Sequence, residues 1–192
     1  AFRMPVGVEE FLSARTFETN PGEYLSGRGV SFMQVAKWRI GYALDGKLRG
    51  RIVFPIRDAR ERLLSYTART FAKSPVRYKT PSAAEGPSPA AIFGEQYWPV
   101  PGKRRLLYLT EGALKSLAVE RVLEPMPDGT GIAAVGGSGI VIQQVAKLGT
   151  WPKILLVADD NHAGRRFADA LTDALGRASE VDVRFAPKGK DP

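Results

Sequence analysis

The chain has 192 residues, 44% of them hydrophobic, with no cysteine, a single histidine and a formal net charge of +8. That length and apolar content suit one large or two small domains with a packed core. The lack of cysteine excludes disulfides and thiolate metal sites, and the lone His162 cannot build a tetrahedral zinc site, so any metal must be held by oxygen. No apolar run approaches the roughly 20 residues that cross a bilayer, and no apolar stretch follows Arg3 as in a signal peptide, so a soluble, cytoplasmic protein without membrane contact is expected, its positive charge suited to a polyanion such as nucleic acid.

In chain order, Ser31 is a natural N-cap for a helix over 31–38. The runs Arg51-Ile-Val-Phe-Pro-Ile56 and Leu63-Leu-Ser-Tyr-Thr-Ala-Arg69 read as strands. Gly46 and residues 58–61 read as turns, which makes an antiparallel hairpin the economical pairing. Basic residues crowd 39–79, where Arg49, Arg51, Arg57, Arg60, Arg62, Arg69, Lys73 and Arg77 face only Asp45, Asp58 and Glu61, and this half is expected to carry a cationic surface. Alternation along the strands would turn Arg51 and Arg69 outward. Tyr66, Tyr78 and Trp98 could stack on bases or simply fill a core. Between 73 and 103 the chain holds Pro75, Pro81, Pro87, Pro89, Pro99 and Pro101. That segment is expected to be mostly irregular, with a subdomain boundary near Lys103.

After Lys103 the pattern changes to regular alternation. Strands are predicted over 106–110, 131–135, 154–158 and 181–185, with helices over 113–123, 140–148 and 163–175 between them. The expected fold class is therefore α/β: a βαβαβαβ parallel-sheet domain over 104–192, preceded by a smaller basic α+β subdomain over 1–103. In open parallel sheets, ligands sit beyond the carboxyl ends of the strands. Glu111, Asp159 and Asp191 fall there, and carboxylates converging at a sheet edge are natural ligands for Mg²⁺. Asp159 and Asn161 would point the same way if the strand continued. Alternatively, Asp160 or Asn161 caps the following helix.

The series Leu109-Thr-Glu-Gly-Ala-Leu-Lys-Ser-Leu-Ala118, Ala134-Val-Gly-Gly-Ser-Gly139 and Leu156-Val-Ala-Asp-Asp-Asn-His-Ala-Gly164 resembles the Toprim domain of primases and topoisomerases. Lys188-Gly-Lys-Asp-Pro192 resembles the last acidic motif of DnaG-like primases, cut short before its final acid. Tyr24-Leu-Ser-Gly-Arg-Gly-Val30, Ile40-Gly-Tyr42, Arg51-Ile-Val-Phe-Pro-Ile-Arg-Asp58, Tyr66-Thr-Ala-Arg69 and Arg77-Tyr-Lys-Thr-Pro81 are similar, in order, to the basic N-terminal part of the DnaG-type RNA polymerase domain. The likeness covers almost the whole chain. That family's zinc-binding and helicase-contacting parts have no counterpart in it, so an excised core is expected.

The resemblance implies a DNA primase that makes short primers on single-stranded DNA from nucleoside triphosphates by metal-dependent nucleotidyl transfer. It implies Mg²⁺ or Mn²⁺ as cofactor and a replicative helicase as a partner reached through other parts of the protein. Glu111 and Asp159 would be catalytic. Asp159, Asp191 and Glu111 would hold metal, with the uncharged Asn161 as a weaker ligand. Arg51, Arg69, Arg77 and Lys79 would contact nucleotide or template. Two positions depart from the pattern: Lys115 stands where the primases have an Asp one turn after the Glu, and Asn161 stands where Toprim has its second Asp. These changes point to a phage, plasmid or integrated element. The competing reading is a single-stranded nucleic-acid-binding module with a degenerate, inactive Toprim fold, and a Toprim nuclease is a third.

Overall fold

The computed structural model describes residues 2–10, 18–136 and 139–186. The chain divides into two compact units, 1–88 and 89–192, an earlier division than the one expected near Lys103. The reason lies in residues 91–98. Ile92 is fully buried, Phe93 forms an antiparallel bridge to Ala134, and the Trp98 indole donates to the Ile132 carbonyl at 2.9 Å. Trp98 also meets Trp151 edge-on at 5.5 Å, and the Arg104 guanidinium lies 5.3 Å from each ring. The proline-rich segment is thus irregular, as expected, yet its second half is bound to the second unit. Trp98 packs against that unit's core instead of standing ready for a base.

The first unit is a five-stranded antiparallel sheet in the order β1 (Val8–Glu10), β2 (Gly41–Ala43), β3 (Arg51–Arg57), β4 (Leu63–Thr70) and β5 (Tyr78–Lys79). Among the described residues, two helices, α1 (Asn20–Gly27) and α2 (Phe32–Lys37), lie between β1 and β2 in sequence. Ser31 caps α2 as its sequence implies: its Oγ accepts from the Gln34 amide at 3.2 Å, and Gln34 Oε1 accepts from the Ser31 amide at 3.1 Å. The β3–β4 hairpin is antiparallel as expected, running from Arg51 opposite Thr70 to Arg57 opposite Leu63 with a register shift between Ile56 and Arg57. Pro55 is tolerated inside β3 because β2 pairs only as far as Val53, so the missing N–H leaves no gap in that ladder. Val53, Tyr66 and Ala68 join Ala43 and Leu48 in one apolar cluster, which makes Tyr66 a core residue.

Asp58 organises the hairpin turn. Its Oδ1 accepts from the Arg60 and Arg62 amides, each at 2.9 Å, and its Oδ2 accepts from Arg62 Nε at 2.8 Å. Burial works against the charged form, but these donors outweigh it and hold the carboxyl below its ordinary value. Glu85, ion-paired with Lys47 and bonded to the Ser82 amide and hydroxyl, is lowered to about 2, chiefly by Lys47.

The second unit is a four-stranded parallel sheet in the order β7 (Thr130–Ala134), β6 (Leu106–Thr110), β8 (Lys153–Asp159) and β9 (Glu180–Ala186). The connecting helices are α3 (Ala113–Val122), α4 (Ile142–Leu148) and α5 (His162–Leu175). Helix α3 packs on β6 and β7, α5 packs on β8 and β9, and α4 touches α5. Leu107, Leu109, Ile154, Leu156 and Ala158 pack with Phe167, Leu171 and Leu175 of α5 in one buried cluster. The α/β class is therefore as read from the sequence: a parallel sheet preceded by an antiparallel one.

Because Asp58 and Glu85 titrate lower in the folded chain than in the unfolded one, protons bind the unfolded chain first. Their stabilising contribution is complete above about pH 5 and is lost as pH falls through about 4 towards 2. The melting temperature followed by circular dichroism is expected to fall over that range, and to fall less in the Asp58→Asn, Glu85→Gln double variant. Asp58→Ala at neutral pH is expected to cost about 1–3 kcal/mol, since it leaves the turn amides of a buried carboxylate without their acceptor.

Candidate functional site

Strand order fixes the site. From β6 the chain runs through α3 to β7 on one side, whereas from β8 it runs through α5 to β9 on the other. The carboxyl ends of the adjacent strands β6 and β8 therefore bound the crevice where connections diverge, the place at which open parallel sheets bind ligands. Glu111 follows β6 directly and Asp159 ends β8.

These residues meet. Glu111 Oε1 accepts from the Asp159 amide at 2.8 Å. Lys115, in the first turn of α3, pairs its ammonium with Asp159 Oδ1. The Lys115 and Asp159 side chains are 21% and 38% exposed, so the pair is open to a ligand yet partly withdrawn from water. Beneath it, two buried hydroxyls anchor the start of α3. Ser116 Oγ donates to the Ala133 carbonyl at 2.8 Å and accepts from Thr110 Oγ1 at 2.8 Å. This linkage fixes the turn that carries Glu111. Sequence reasoning did not single out Thr110 or Ser116. The available signal was a serine beside Leu117, at the spacing of the helix's buried face.

Asn161 does not continue the strand. Its amide donates to the Asp159 carbonyl at 2.8 Å, the chain turns, and the Asn161 side-chain oxygen accepts from the Gly164 amide at 2.9 Å as the N-cap of α5. The capping alternative therefore describes Asn161, and the shared direction with Asp159 that an extended strand would give is absent. Asp160 is ion-paired with Arg165. Gly164 has a role that its place in the motif only hinted at: a Cβ there would lie 2.2 Å from the Asp159 carbonyl oxygen and 2.9 Å from Glu111 Oε1. Only glycine lets α5 approach the strand end so closely. Asp191 lies outside the described residues, as does the segment 187–192 that carries the last acidic motif.

Oxygen donors are needed for a divalent cation, and the residues present can be weighed against that need. Among the described residues, no three His, Cys, Asp or Glu side chains converge. Of the two acids at the strand ends, Asp159 has its carboxylate paired with an ammonium and Glu111 has its carboxylate bonded to the Asp159 amide. This set does not by itself fit a resident metal ion, which takes several oxygens and is repelled by an ammonium already paired with one of them.

In the first unit, Arg51 and Arg69 are each 7% exposed, contrary to the outward orientation that alternation implies. The Arg51 guanidinium donates to the Val76 carbonyl at 2.8 Å and to the Arg77 carbonyl at 3.1 Å. Arg69 lies between the Tyr24 and Tyr78 rings, 5.7 and 5.2 Å from their centroids, and donates to the Tyr78 hydroxyl at 2.6 Å. Both arginines thus hold the strand edge on which Arg77 and Lys79 are exposed. Lys79 Nζ reaches the Lys47 carbonyl at 3.1 Å.

Gly164→Ala is expected to push α5 off the strand end. Denaturant unfolding should register a loss of about 1–3 kcal/mol, and hydrogen exchange at the Asp159 amide should accelerate as its bond to Glu111 lengthens.

No protein-family model matches the chain. In sequence it is 26% identical over an alignment of 211 residues to a DNA primase of Deinococcus radiodurans, a match covering 88% of this chain and 36% of that protein. It superposes on the zinc-binding and RNA polymerase domains of the Aquifex aeolicus primase with a TM-score of 0.69 at 20% identity, over 91% of this chain and 52% of that one. On the DnaG primase catalytic domain bound to single-stranded DNA, the TM-score is 0.72 at 19% identity, over 95% of this chain and 68% of that one. The chain spans about a third of the length of the curated relative it matches. In sequence the chain is thus similar to a DNA primase, and its fold is that of DnaG-type primase catalytic cores.

Proposed function

We propose that the chain is the catalytic core of a DNA primase: it builds short oligonucleotides on a single-stranded DNA template by nucleotidyl transfer. The observation that carries this reading is the pairing of Glu111 with Asp159 at the diverging strand ends, in a fold shared with primase cores. In the reaction, a 3′-hydroxyl oxygen attacks the α-phosphorus of a nucleoside triphosphate, the α–β phosphoanhydride bond breaks, and pyrophosphate leaves. With Oε1 anchored on the Asp159 amide, Glu111 presents Oε2 to take the hydroxyl proton. This proton transfer, at a fixed distance from the β8 end, is what the chain's own residues supply. A divalent cation, Mg²⁺ or Mn²⁺, offsets charge on the phosphates when it is bound. The described donors make no complete site for it, and Asp191 is its further candidate ligand.

The assignment of 104–192 as a Toprim domain, and of the preceding residues as the basic part of the polymerase domain, belongs to this proposal. Template contact falls to the exposed Arg77 and Lys79, with Arg51 and Arg69 as residues that position them. Among the described residues no helix is long and apolar enough to cross a membrane. A cytoplasmic replication role with a helicase partner completes the reading, and the Lys and Asn at two acidic positions of the pattern support a phage or mobile-element origin.

The test is primer synthesis by the full-length protein carrying this chain, given single-stranded template, labelled nucleotides and Mg²⁺ or Mn²⁺. Labelled oligonucleotides are expected from the parent. Glu111→Gln and Asp159→Asn are expected to reduce them about 100-fold or more while leaving template binding intact. Binding without any product in the parent would overturn the enzyme reading and leave a binding module.

The two pairs of basic residues should also separate. Arg77→Ala and Lys79→Ala are each expected to weaken single-stranded DNA binding uniformly across sequences and to lower the salt slope by about one, with the melting temperature unchanged. Arg51→Ala is expected to lower the melting temperature.

A further inference from the structure

Lys115 stands in the midst of the carboxylates, and its position is determined by the fold. It is the third residue of α3, one helical turn beyond Glu111, and its backbone amide closes that turn on the Gly112 carbonyl at 3.0 Å. The turn is clamped to the sheet through Ser116, Thr110 and Ala133. A side chain at 115 is therefore directed back over the strand ends, and its ammonium meets Asp159 Oδ1 while Glu111 Oε1 holds the same residue's amide. Three charged groups share one crevice, and one of them is a cation supplied by the chain.

We propose that Lys115 is a built-in cation of this site: its ammonium occupies the place of a divalent ion at Asp159, so the site works with one metal ion fewer than a site of carboxylates alone. The inference rests on the proposed nucleotidyl-transfer function, which it deepens. The charge balance supports it. Glu111, Asp159 and Lys115 together carry one net negative charge, where a third carboxylate at position 115 would give three. A divalent ion demands several oxygens at close range, and an ammonium held on Asp159 Oδ1 repels it. The ammonium, a compact charge with three donors, can bond the carboxylate and still offer N–H groups to a phosphate oxygen.

Manganese alone is a suitable probe, because the fraction bound can be counted from the free-ion electron paramagnetic resonance signal without any reference to catalysis. The full-length protein is compared as wild type, Lys115→Asp, Lys115→Met, and Lys115→Asp combined with Asp159→Asn, with circular dichroism melts to establish folding. The wild type is expected to bind Mn²⁺ weakly at this site. Lys115→Asp is expected to bind one additional Mn²⁺ per chain, about tenfold tighter or more, and Asp159→Asn should abolish that gain. Lys115→Met, which removes the cation without adding a ligand, should give a smaller gain and serves as the test if Lys115→Asp does not fold. Equal stoichiometry and affinity in the wild type and the folded variants would overturn the proposal. A gain of Mn²⁺ in a protein that makes no primers would leave this proposal standing and sink the proposed function alone.

Discussion

The hydrogen bond from the Asp159 amide to Glu111 Oε1 joins the ends of two neighbouring strands that are 48 residues apart in sequence. It forms because β6 and β8 are paired in register, Thr110 opposite Val157, which brings the two acids to within one residue of the same level. It also requires α5 to start without a side chain at Gly164, since a Cβ there would intrude on both the Asp159 carbonyl and the Glu111 carboxylate. Sheet register, helix approach and acid placement are thus one constraint, and the remaining polar contacts of the crevice arrange themselves around it.

The second unit was legible in the sequence because its physics is local. Ile154-Leu-Leu-Val-Ala158 is a continuous apolar run that can only be a buried strand, and α5 repeats its apolar residues at helical spacing from Phe167 to Leu175. The first unit was legible only in part. The β3–β4 hairpin declared itself through length and alternation, but β1 and β2 have three residues each and carry no period to read. Helix α1 begins Asn-Pro-Gly, which reads as a turn, and it was missed.

The site divides in the same way. Glu111 and Asp159 were found from their places at strand ends. Arg51 and Arg69 were misjudged because alternation describes a strand's own faces and cannot foresee a loop folding over them. The carbonyls that bury Arg51 come from Val76 and Arg77, beyond the hairpin, and the rings that enclose Arg69 come from Tyr24 and Tyr78. For Asn161 the capping alternative holds: β8 ends at Asp159 and the Asn161 side chain turns to the Gly164 amide. For Arg51 and Asn161 the deciding partner was a backbone group, which leaves no mark on residue identity.

The diverging connections around β6 and β8 also bear on how far such a chain can drift. The apolar positions of the sheet and helices need only stay apolar, so much of the second unit is free to change by substitution of one aliphatic residue for another. What must persist is small: two strand ends, one hydroxyl clamp and one absent side chain. The 19% and 20% identities to solved primase cores show the fold kept while about four-fifths of the residues differ.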